Sequence, residues 1–96
     1  MNKSDLITAV AGRTDLPKAD VQRVIEALFG EAGVVGTELR RGGRVQISGF
    51  GSFQVRKRPA RTGTDPRTGD VIQIKAAIVP VFRPGQALRD GVNRRR

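Results

Sequence analysis

The sequence predicts an α+β fold in which two helices precede a run of β-strands and a short helix follows them. Apolar residues recur at helical spacing up to about residue 40, and they alternate with polar residues from residue 44 onward. A Pro- and Gly-rich segment at 59–69 interrupts the alternating part. There is no internal repeat, and the 96 residues have the size of one small domain.

The first helix is predicted to begin after Asn2, whose side chain can cap it. Asp5 lies three residues further on, in the position of a capping box. The helix then carries an apolar stripe formed by Leu6, Ile7, Val10 and Ala11, and we expect it to end near Gly12.

The second helix is predicted over about 17–40. Pro17 suits a first helical position, and an apolar stripe continues to Leu39. Three glycines, Gly30, Gly33 and Gly36, lie inside this range, and each costs roughly 1 kcal/mol relative to alanine. They are either tolerated in a continuous helix or mark a local bulge or kink at 30–36.

The alternating part predicts strands at 44–48, 53–58, 71–74 and 76–82, and a last helix at 86–92. A tight turn at 49–51 separates the first two strands. Pro80 restricts its own strand to a sheet edge or a bulge, because proline cannot donate to the ladder. The polar segment 59–69 is predicted to be a long connection, which is a hint of function in a compact chain.

The charge is concentrated in the second part of the sequence. The net charge is +9, and residues 1–39 hold four basic and six acidic residues, a net charge of −2. Residues 40–96 hold fourteen basic and three acidic residues, and no acid lies between Arg40 and Arg61. Such a surface predicts a polyanionic partner, with nucleic acid ahead of an anionic membrane.

Catalytic and metal chemistry is disfavoured by composition. The sequence has neither Cys nor His, so disulfides, thiolate ligands and imidazole bases are excluded. We therefore expect no enzyme activity, no metal, no cofactor and no small-molecule substrate. The absence of a long apolar stretch excludes a membrane span, and residues 1–10 do not form a signal peptide, which predicts a cytoplasmic protein.

The segment from Arg56 to Gly69 carries the predicted function. Two strands lead into it and out of it, and a two-stranded ribbon can enter a DNA groove. Basic residues flank the segment and can neutralise phosphates, while Pro66 can act as an apolar wedge that unstacks a base step. Pro66 can also be a simple turn residue, since Asp-Pro is common in loops. No aromatic residue lies in the segment, which disfavours single-strand recognition by base stacking.

These features resemble the HU / integration host factor family of bacterial histone-like DNA-bending proteins, and in particular its HU-like members. The resemblance runs in order over nearly the whole chain, and the joint pattern is specific although each piece alone is weak. Its parts are Met1 to Ile7, the Gly49-Phe50-Gly51-Ser52-Phe53 turn, the Ala60-Arg61-Thr62-Gly63 motif with Pro66 and Thr68-Gly69, and Val79-Pro80 with Phe82-Arg83-Pro84-Gly85 and Leu88.

The resemblance implies an intertwined dimer, either a homodimer or a heterodimer. Each chain would supply a three-stranded antiparallel sheet and an extended β-ribbon arm that wraps the minor groove, with Pro66 intercalating. The parts expected are a helical dimerisation part at 1–41, a sheet at 42–83 with the arm at about 56–77, a C-terminal helix at 84–93 and a basic tail at 94–96. Phe29, Phe50, Phe53 and Phe82 would form the dimer core.

The resemblance also supplies the expected DNA contacts. Arg56, Lys57, Arg58, Arg61, Thr62, Gly63, Pro66, Arg67, Thr68, Lys75, Arg83, Lys3 and Arg89 are the expected DNA-binding residues, although Lys3 and Arg89 can equally be plain surface charge. The sequence departs from the family pattern at Thr64-Asp65, where Arg-Asn is usual, and at Asp70, where Lys is common. These departures place two carboxylates near the tip and predict weaker tip contacts.

The function implied is that of a nucleoid-associated protein. It would bind double-stranded DNA with little sequence preference, bend it, favour bent, nicked or flexible DNA, and help to compact the nucleoid. A site-specific bending subunit like integration host factor is an alternative. A basic RNA-binding protein is a third possibility that size and pI allow.

Overall fold

The structure is a computed structural model that describes residues 1–94, and the chain divides into two compact units, Met1–Arg41 and Gly42–Arg96. The first unit contains helices α1 (Lys3–Thr14), α2 (Lys18–Phe29) and α3 (Val34–Arg40). The second unit contains strands β1 (Val45–Ile47), β2 (Gly51–Arg58), β3 (Arg61–Thr64), β4 (Val71–Ile74) and β5 (Ala77–Pro84), followed by helix α4 (Gln86–Asn93). The α+β class predicted from the sequence is confirmed.

Helix α1 begins with the predicted capping box. The Asp5 N–H donates to Asn2 Oδ1 at 2.9 Å, and the Asn2 N–H donates to Asp5 Oδ2 at 3.1 Å. Two amide groups that a helix start leaves without partners are thereby satisfied. The helix continues past Gly12 and ends at Asp15, whose φ of 57° lies in the left-handed region.

Of the two alternatives for residues 30–36, the continuous helix is wrong and a local interruption is observed, because the chain breaks between α2 and α3. Gly30 and Gly33 both have extended ψ angles, 169° and 174°, and they flank the break. A Cβ at Gly30 would lie 2.5 Å from the Glu26 carbonyl oxygen, and one at Gly33 would lie 2.8 Å from that of Leu28. Both positions therefore require glycine. The Arg40 guanidinium bridges the break by donating to the Glu31 carbonyl at 2.7 Å.

The core of the first unit is small. Val21, Ile25 and Val35 are its buried apolar side chains, all from the predicted stripe. Val24 and Phe29 belong to the same stripe but are each 53% exposed. A helix that leaves this much apolar surface in water gains little stability from its own chain.

Strands β1, β2 and β5 form an antiparallel sheet in the order β1-β2-β5, so β5 is an edge strand as Pro80 requires. The predicted turn joins β1 to β2, with the Phe50 N–H donating to the Ile47 carbonyl at 2.9 Å. Gly51 follows the turn and packs directly against β5. The Gly85 N–H donates to the Phe50 carbonyl at 2.7 Å and fixes the start of α4 beside the same turn.

The long connection that the local pattern predicted over 59–69 contains a strand at 61–64, in agreement with the β-ribbon arm that the family resemblance implied. These residues form β3, which pairs antiparallel with β4 as a separate two-stranded ribbon. The loop proper is therefore shorter than predicted and runs from Asp65 to Asp70. The basic tail predicted for 94–96 lies outside the described residues except for Arg94.

Candidate nucleic-acid interface

The pairing of β2 with β5 divides the predicted site residues between two faces of the sheet. Residues that pair directly across an antiparallel sheet share a face, and successive residues alternate. Ser52 pairs with Arg83, Arg56 with Val79 and Arg58 with Ala77, so the three arginines lie on one face. Lys57 pairs with Ile78 and lies on the other face. The sequence prediction grouped Arg56, Lys57 and Arg58 together, and the register separates them.

Further polar residues on the arginine face were not among the predicted contacts. A shallow groove there is lined by Arg44, Gln46, Ser52, Gln54 and Arg83, together with the turn at 48–49. The Arg44 guanidinium donates to Gln46 Oε1 at 3.2 Å, and the Gln54 amide donates to Ser52 Oγ at 2.9 Å. The alternation of polar and apolar residues in β1 and β2 is the signal that could have identified them.

The opposite face of the sheet is aromatic. Phe53 pairs with Phe82, with ring centroids 5.0 Å apart, and the centroid of Phe50 lies 5.6 Å from that of Phe82. Phe50 and Phe82 are 46% and 39% exposed, so the single chain does not bury them as a core. Phe29 lies at the end of α2 in the other unit.

Most of the predicted cationic contacts are available to a partner. Within residues 1–94 no carboxylate forms an ion pair with the exposed side chains of Arg56, Lys57, Arg58, Arg61, Lys75, Arg83 or Arg89. A cation without a protein counterion can neutralise a DNA phosphate, and release of the cations that were condensed on the DNA favours binding.

In the ribbon formed by β3 and β4, Gly63 packs against two isoleucines. Gly63 pairs with Ile72, and a Cβ at Gly63 would lie 3.0 Å from Ile74 Cδ1. Arg61 pairs with Ile74 on the same face, whereas Thr62 pairs with Gln73 on the other. Lys75 follows β4 at the base of the ribbon. One face of the ribbon therefore carries both isoleucines with Arg61, and the other carries two threonines and Gln73 with the exposed Val71.

The tip of the ribbon is a closed turn around Pro66. The Asp65 N–H donates to the Asp70 carbonyl at 2.8 Å, and the Gly69 N–H donates to the Asp65 carbonyl at 2.7 Å. Gly69 has φ +77°, a conformation that glycine adopts without strain. Pro66, Arg67 and Thr68 are exposed at the end of this turn. The structure thus places the predicted wedge at the outermost end of the ribbon.

Lys3 differs from the other predicted cations because it already has a carboxylate partner. Its ammonium group donates to Glu26 Oε1, linking the start of α1 to α2. The hydrogen bond from Lys3, and then the charge of its ammonium group, lower the pKa of Glu26 below its usual value of 4.5. Lys3 can therefore contact DNA only by leaving or sharing Glu26.

The Lys3–Glu26 pair predicts a small dependence of stability on pH. Because the folded pKa of Glu26 is lowered, the pair contributes above the unfolded value of 4.5 and its contribution is lost as the pH falls through the folded pKa. The effect is small because both side chains are about half exposed. We expect the melting temperature of wild type to exceed that of Glu26→Gln at pH 7 and the two to converge at pH 3. A difference that stays constant over this range contradicts the assignment.

Other kinds of site find no support in the described part of the chain. Residues 1–94 contain no cluster of three or more His, Cys, Asp or Glu side chains that could hold a metal ion. None of the helices described has the length and hydropathy needed to cross a membrane.

Comparison with known proteins identifies the family. Residues 1–93 match the family described as Bacterial DNA-binding protein. DNA-binding protein HU-1 of Halalkalibacterium halodurans is 48% identical over 93 residues, which cover 97% of this chain and all of the relative. DNA-binding protein HU of Geobacillus stearothermophilus is 46% identical over 92 residues, covering 96% of this chain and 99% of that protein.

Solved structures give the same result for the fold. The Anabaena HU–DNA cocrystal structure superimposes with a TM-score of 0.86 at 35% identity, covering 96% of this chain and 97% of that one. The HU structure from Thermotoga maritima superimposes with a TM-score of 0.67 at 32% identity, covering 96% of this chain and 98% of that one. The matches in sequence and in structure, both nearly full-length, show that this chain belongs to the HU family of bacterial DNA-binding proteins.

Proposed function

We propose that this protein is a histone-like nucleoid protein that binds double-stranded DNA with little sequence preference and bends it. The observation that carries the proposal is the arm at 56–77, which holds six basic and two acidic residues and has an exposed proline at its tip. Relatives that match over their full length are named DNA-binding protein HU, and the structure with a TM-score of 0.86 is an HU–DNA cocrystal. The proposed activity is binding and bending, and it requires no catalysed reaction and no cofactor.

Two parts of the second unit perform different tasks in this proposal. The arginine face of the sheet, with Arg56, Arg58 and Arg83, contacts phosphates and holds the protein on the duplex. The ribbon lies in the minor groove, where Pro66 enters between two base pairs and kinks the helix axis. The remaining proposed contacts are Lys57, Arg61, Thr62, Gly63, Arg67, Thr68 and Lys75, with Lys3 and Arg89 on the flanks.

The proposed functional unit is a dimer. The apolar face of α2 exposes Val24 and Phe29, and the aromatic face of the sheet exposes Phe50 and Phe82. Burying these side chains against a second copy would supply the hydrophobic stabilisation that a chain of this size lacks alone. In this arrangement residues 1–41 serve dimerisation, and the second unit supplies one DNA-binding arm per chain.

None of the observations favours the alternatives over this function. The relatives described above are HU proteins, and no observation favours a site-specific bending subunit. The ribbon carries no aromatic side chain with which to stack unpaired bases of RNA. A flexible or nicked duplex costs less energy to bend, so a protein that bends DNA binds such a duplex more tightly.

The proposal is tested by binding to two duplexes that differ only by a single nick, over a series of salt concentrations. We expect tighter binding to the nicked duplex and a steep loss of affinity with salt. In a plot of log K against log salt, the arginine faces alone, with three contacts from each chain of a dimer, would contribute about −5 to the slope, and the cations of the arms would make it steeper. Sedimentation equilibrium on the protein without DNA is expected to give twice the chain mass of 10.4 kDa.

The nick preference, the salt slope and the mass each test a different part of the proposal. Equal affinity for the two duplexes with a steep salt dependence would support binding through charge and contradict bending. A slope of log K against log salt near zero would contradict the proposed phosphate contacts. A mass of one chain at micromolar protein concentration would contradict the proposed dimer.

A further inference from the structure

We propose that Asp65 is a positioning residue that sets the conformation in which Pro66 meets DNA. The inference rests on the proposed function, because it describes how one residue of the ribbon tip prepares another for contact with the duplex. Pro66 remains the residue that touches DNA, and Asp65 acts through it.

The side chain of Asp65 faces into the turn. Its Oδ1 accepts a hydrogen bond from the Arg67 N–H at 2.9 Å and lies 3.8 Å from Arg67 Nε. The Asp65 side chain is 23% exposed, whereas that of Arg67 in the same ion pair is 88% exposed. The charge of Asp65 alone does not explain why its carboxylate is turned away from solvent at the end of a ribbon, whereas the hydrogen bond from Arg67 does.

Proline chemistry explains why the hydrogen bond falls on Arg67. Pro66 has no N–H and a fixed φ, so the first amide that can donate after Asp65 belongs to Arg67. Aspartate side chains commonly accept from the amide two residues ahead, which closes a ring around the intervening residue. Here the intervening residue is the wedge. The bond therefore holds Pro66 in one orientation before DNA is present.

The rest of the turn fixes its base. The two backbone hydrogen bonds between Asp65 and residues 69 and 70 close the loop on the ribbon side. With both ends held, the conformational entropy of the tip is lost on folding rather than on binding. A wedge ordered in advance binds more tightly than a mobile one, because the duplex does not have to order it.

Asp70 provides a contrast within the same turn. Its N–H donates to Thr68 Oγ1 at 3.2 Å, but its exposed carboxylate accepts no hydrogen bond from any residue that the structure describes. The two acidic residues thus have equal charge and different roles. Asp70 opposes DNA through charge alone, whereas Asp65 combines an unfavourable charge with a favourable conformation. The expectation that both carboxylates simply weaken tip contacts is revised accordingly.

The contrast supplies charge-matched variants. Asp65→Ala, Asp65→Asn and Asp70→Ala each remove one negative charge from the tip. Asp65→Asn keeps an Oδ1 that can accept from Arg67, and Asp65→Ala does not. The first measurement is the ratio of the dissociation constants for intact and nicked duplex at one salt concentration. The second is hydrogen exchange of the Arg67 amide in the protein without DNA.

We expect only Asp65→Ala to lower the nick preference, by about fivefold, which corresponds to a hydrogen bond of about 1 kcal/mol. Asp65→Asn and Asp70→Ala should keep the ratio within about twofold of wild type. Exchange of the Arg67 amide should quicken by a similar factor in Asp65→Ala alone. Rescue by asparagine is the signature of positioning, since all three variants change the charge equally.

Two results would overturn the inference. One is an equal nick preference in Asp65→Ala and Asp70→Ala, which would make Asp65 a charge only. The other is a loss in Asp65→Asn as large as that in Asp65→Ala. Failure of the proposed function would be seen separately, as a wild-type protein that binds both duplexes equally. In that case the amide exchange alone decides whether Asp65 sets the tip conformation.

Discussion

Replacing Pro66 with alanine is expected to reduce the preference for nicked duplex about tenfold and to change affinity for intact duplex by less than about threefold. Tenfold corresponds to about 1.4 kcal/mol, and unstacking one base step costs a few kcal/mol. A nick removes most of that cost, so only a protein that unstacks the step gains from the nick. Without the wedge the arm would still contact phosphates but would no longer distinguish the two duplexes.

Pro59→Ala is the matched control for this experiment. Pro59 is also exposed and belongs to the same arm, but it lies at the base of the ribbon between β2 and β3. The change in the side chain is identical, and we expect a nick preference within twofold of wild type. If Pro59→Ala and Pro66→Ala lose equal preference, arm rigidity rather than intercalation explains the result. An unchanged preference in Pro66→Ala would exclude the wedge outright.

Gly51→Ala is expected to destabilise the fold by about 3 kcal/mol or more. An added Cβ would lie 2.5 Å from the Arg83 carbonyl oxygen and 2.7 Å from the Phe82 ring. The carbonyl oxygen cannot yield, because it belongs to the backbone of the strand that pairs with Gly51. The φ of Gly51 is also +156°. Overpacking of this kind costs about 1–3 kcal/mol, and the unfavourable φ adds to it. Thermal unfolding at a fixed protein concentration should show a decrease in Tm of more than about 10 °C.

Glycine-to-alanine substitution at Gly12 should instead stabilise the protein. Gly12 lies within α1, and a Cβ there would meet no atom within 4 Å. Alanine is favoured over glycine in a helix interior by up to about 1 kcal/mol, so Gly12→Ala should raise the Tm. A Gly51→Ala protein as stable as wild type would show that β2 and β5 can separate at this point without loss.

The sequence predicted most elements because their signals are local. The capping box of Asn2 and Asp5, the turn at 49–51 and the edge position of Pro80 each follow from the chemistry of one or two residues. The local pattern alone does not predict β3, because Arg61 to Thr64 contains no apolar residue, whereas the family resemblance implied a β-ribbon arm over this part of the chain. It becomes a strand only through its pairing with β4, which is information that a local pattern does not contain.

The break between α2 and α3 was one of two alternatives that the sequence left open. The apolar residues stay in helical phase across Gly30 and Gly33, so the pattern favours one helix. Glycine propensity is too small an effect to overrule it. In the observed conformation a Cβ at Gly30 or Gly33 would clash with the Glu26 or Leu28 carbonyl, so the break depends on glycine at both positions. In the candidate site, the alternation could have separated Lys57 from the two arginines, but the bond from Arg67 to Asp65 could not be foreseen from charge.

The gap between the two sheets of the second unit has a mechanical consequence. The last pair of the three-stranded sheet is Arg58 with Ala77, and the first pair of the ribbon is Arg61 with Ile74. The residues between them, Pro59 and Ala60 on one side and Lys75 and Ala76 on the other, lie outside both ladders. The hydrogen bonds of both ladders therefore stop short of this joint. We expect the arm to bend there, which would let it follow duplexes of different curvature while the tip keeps its shape.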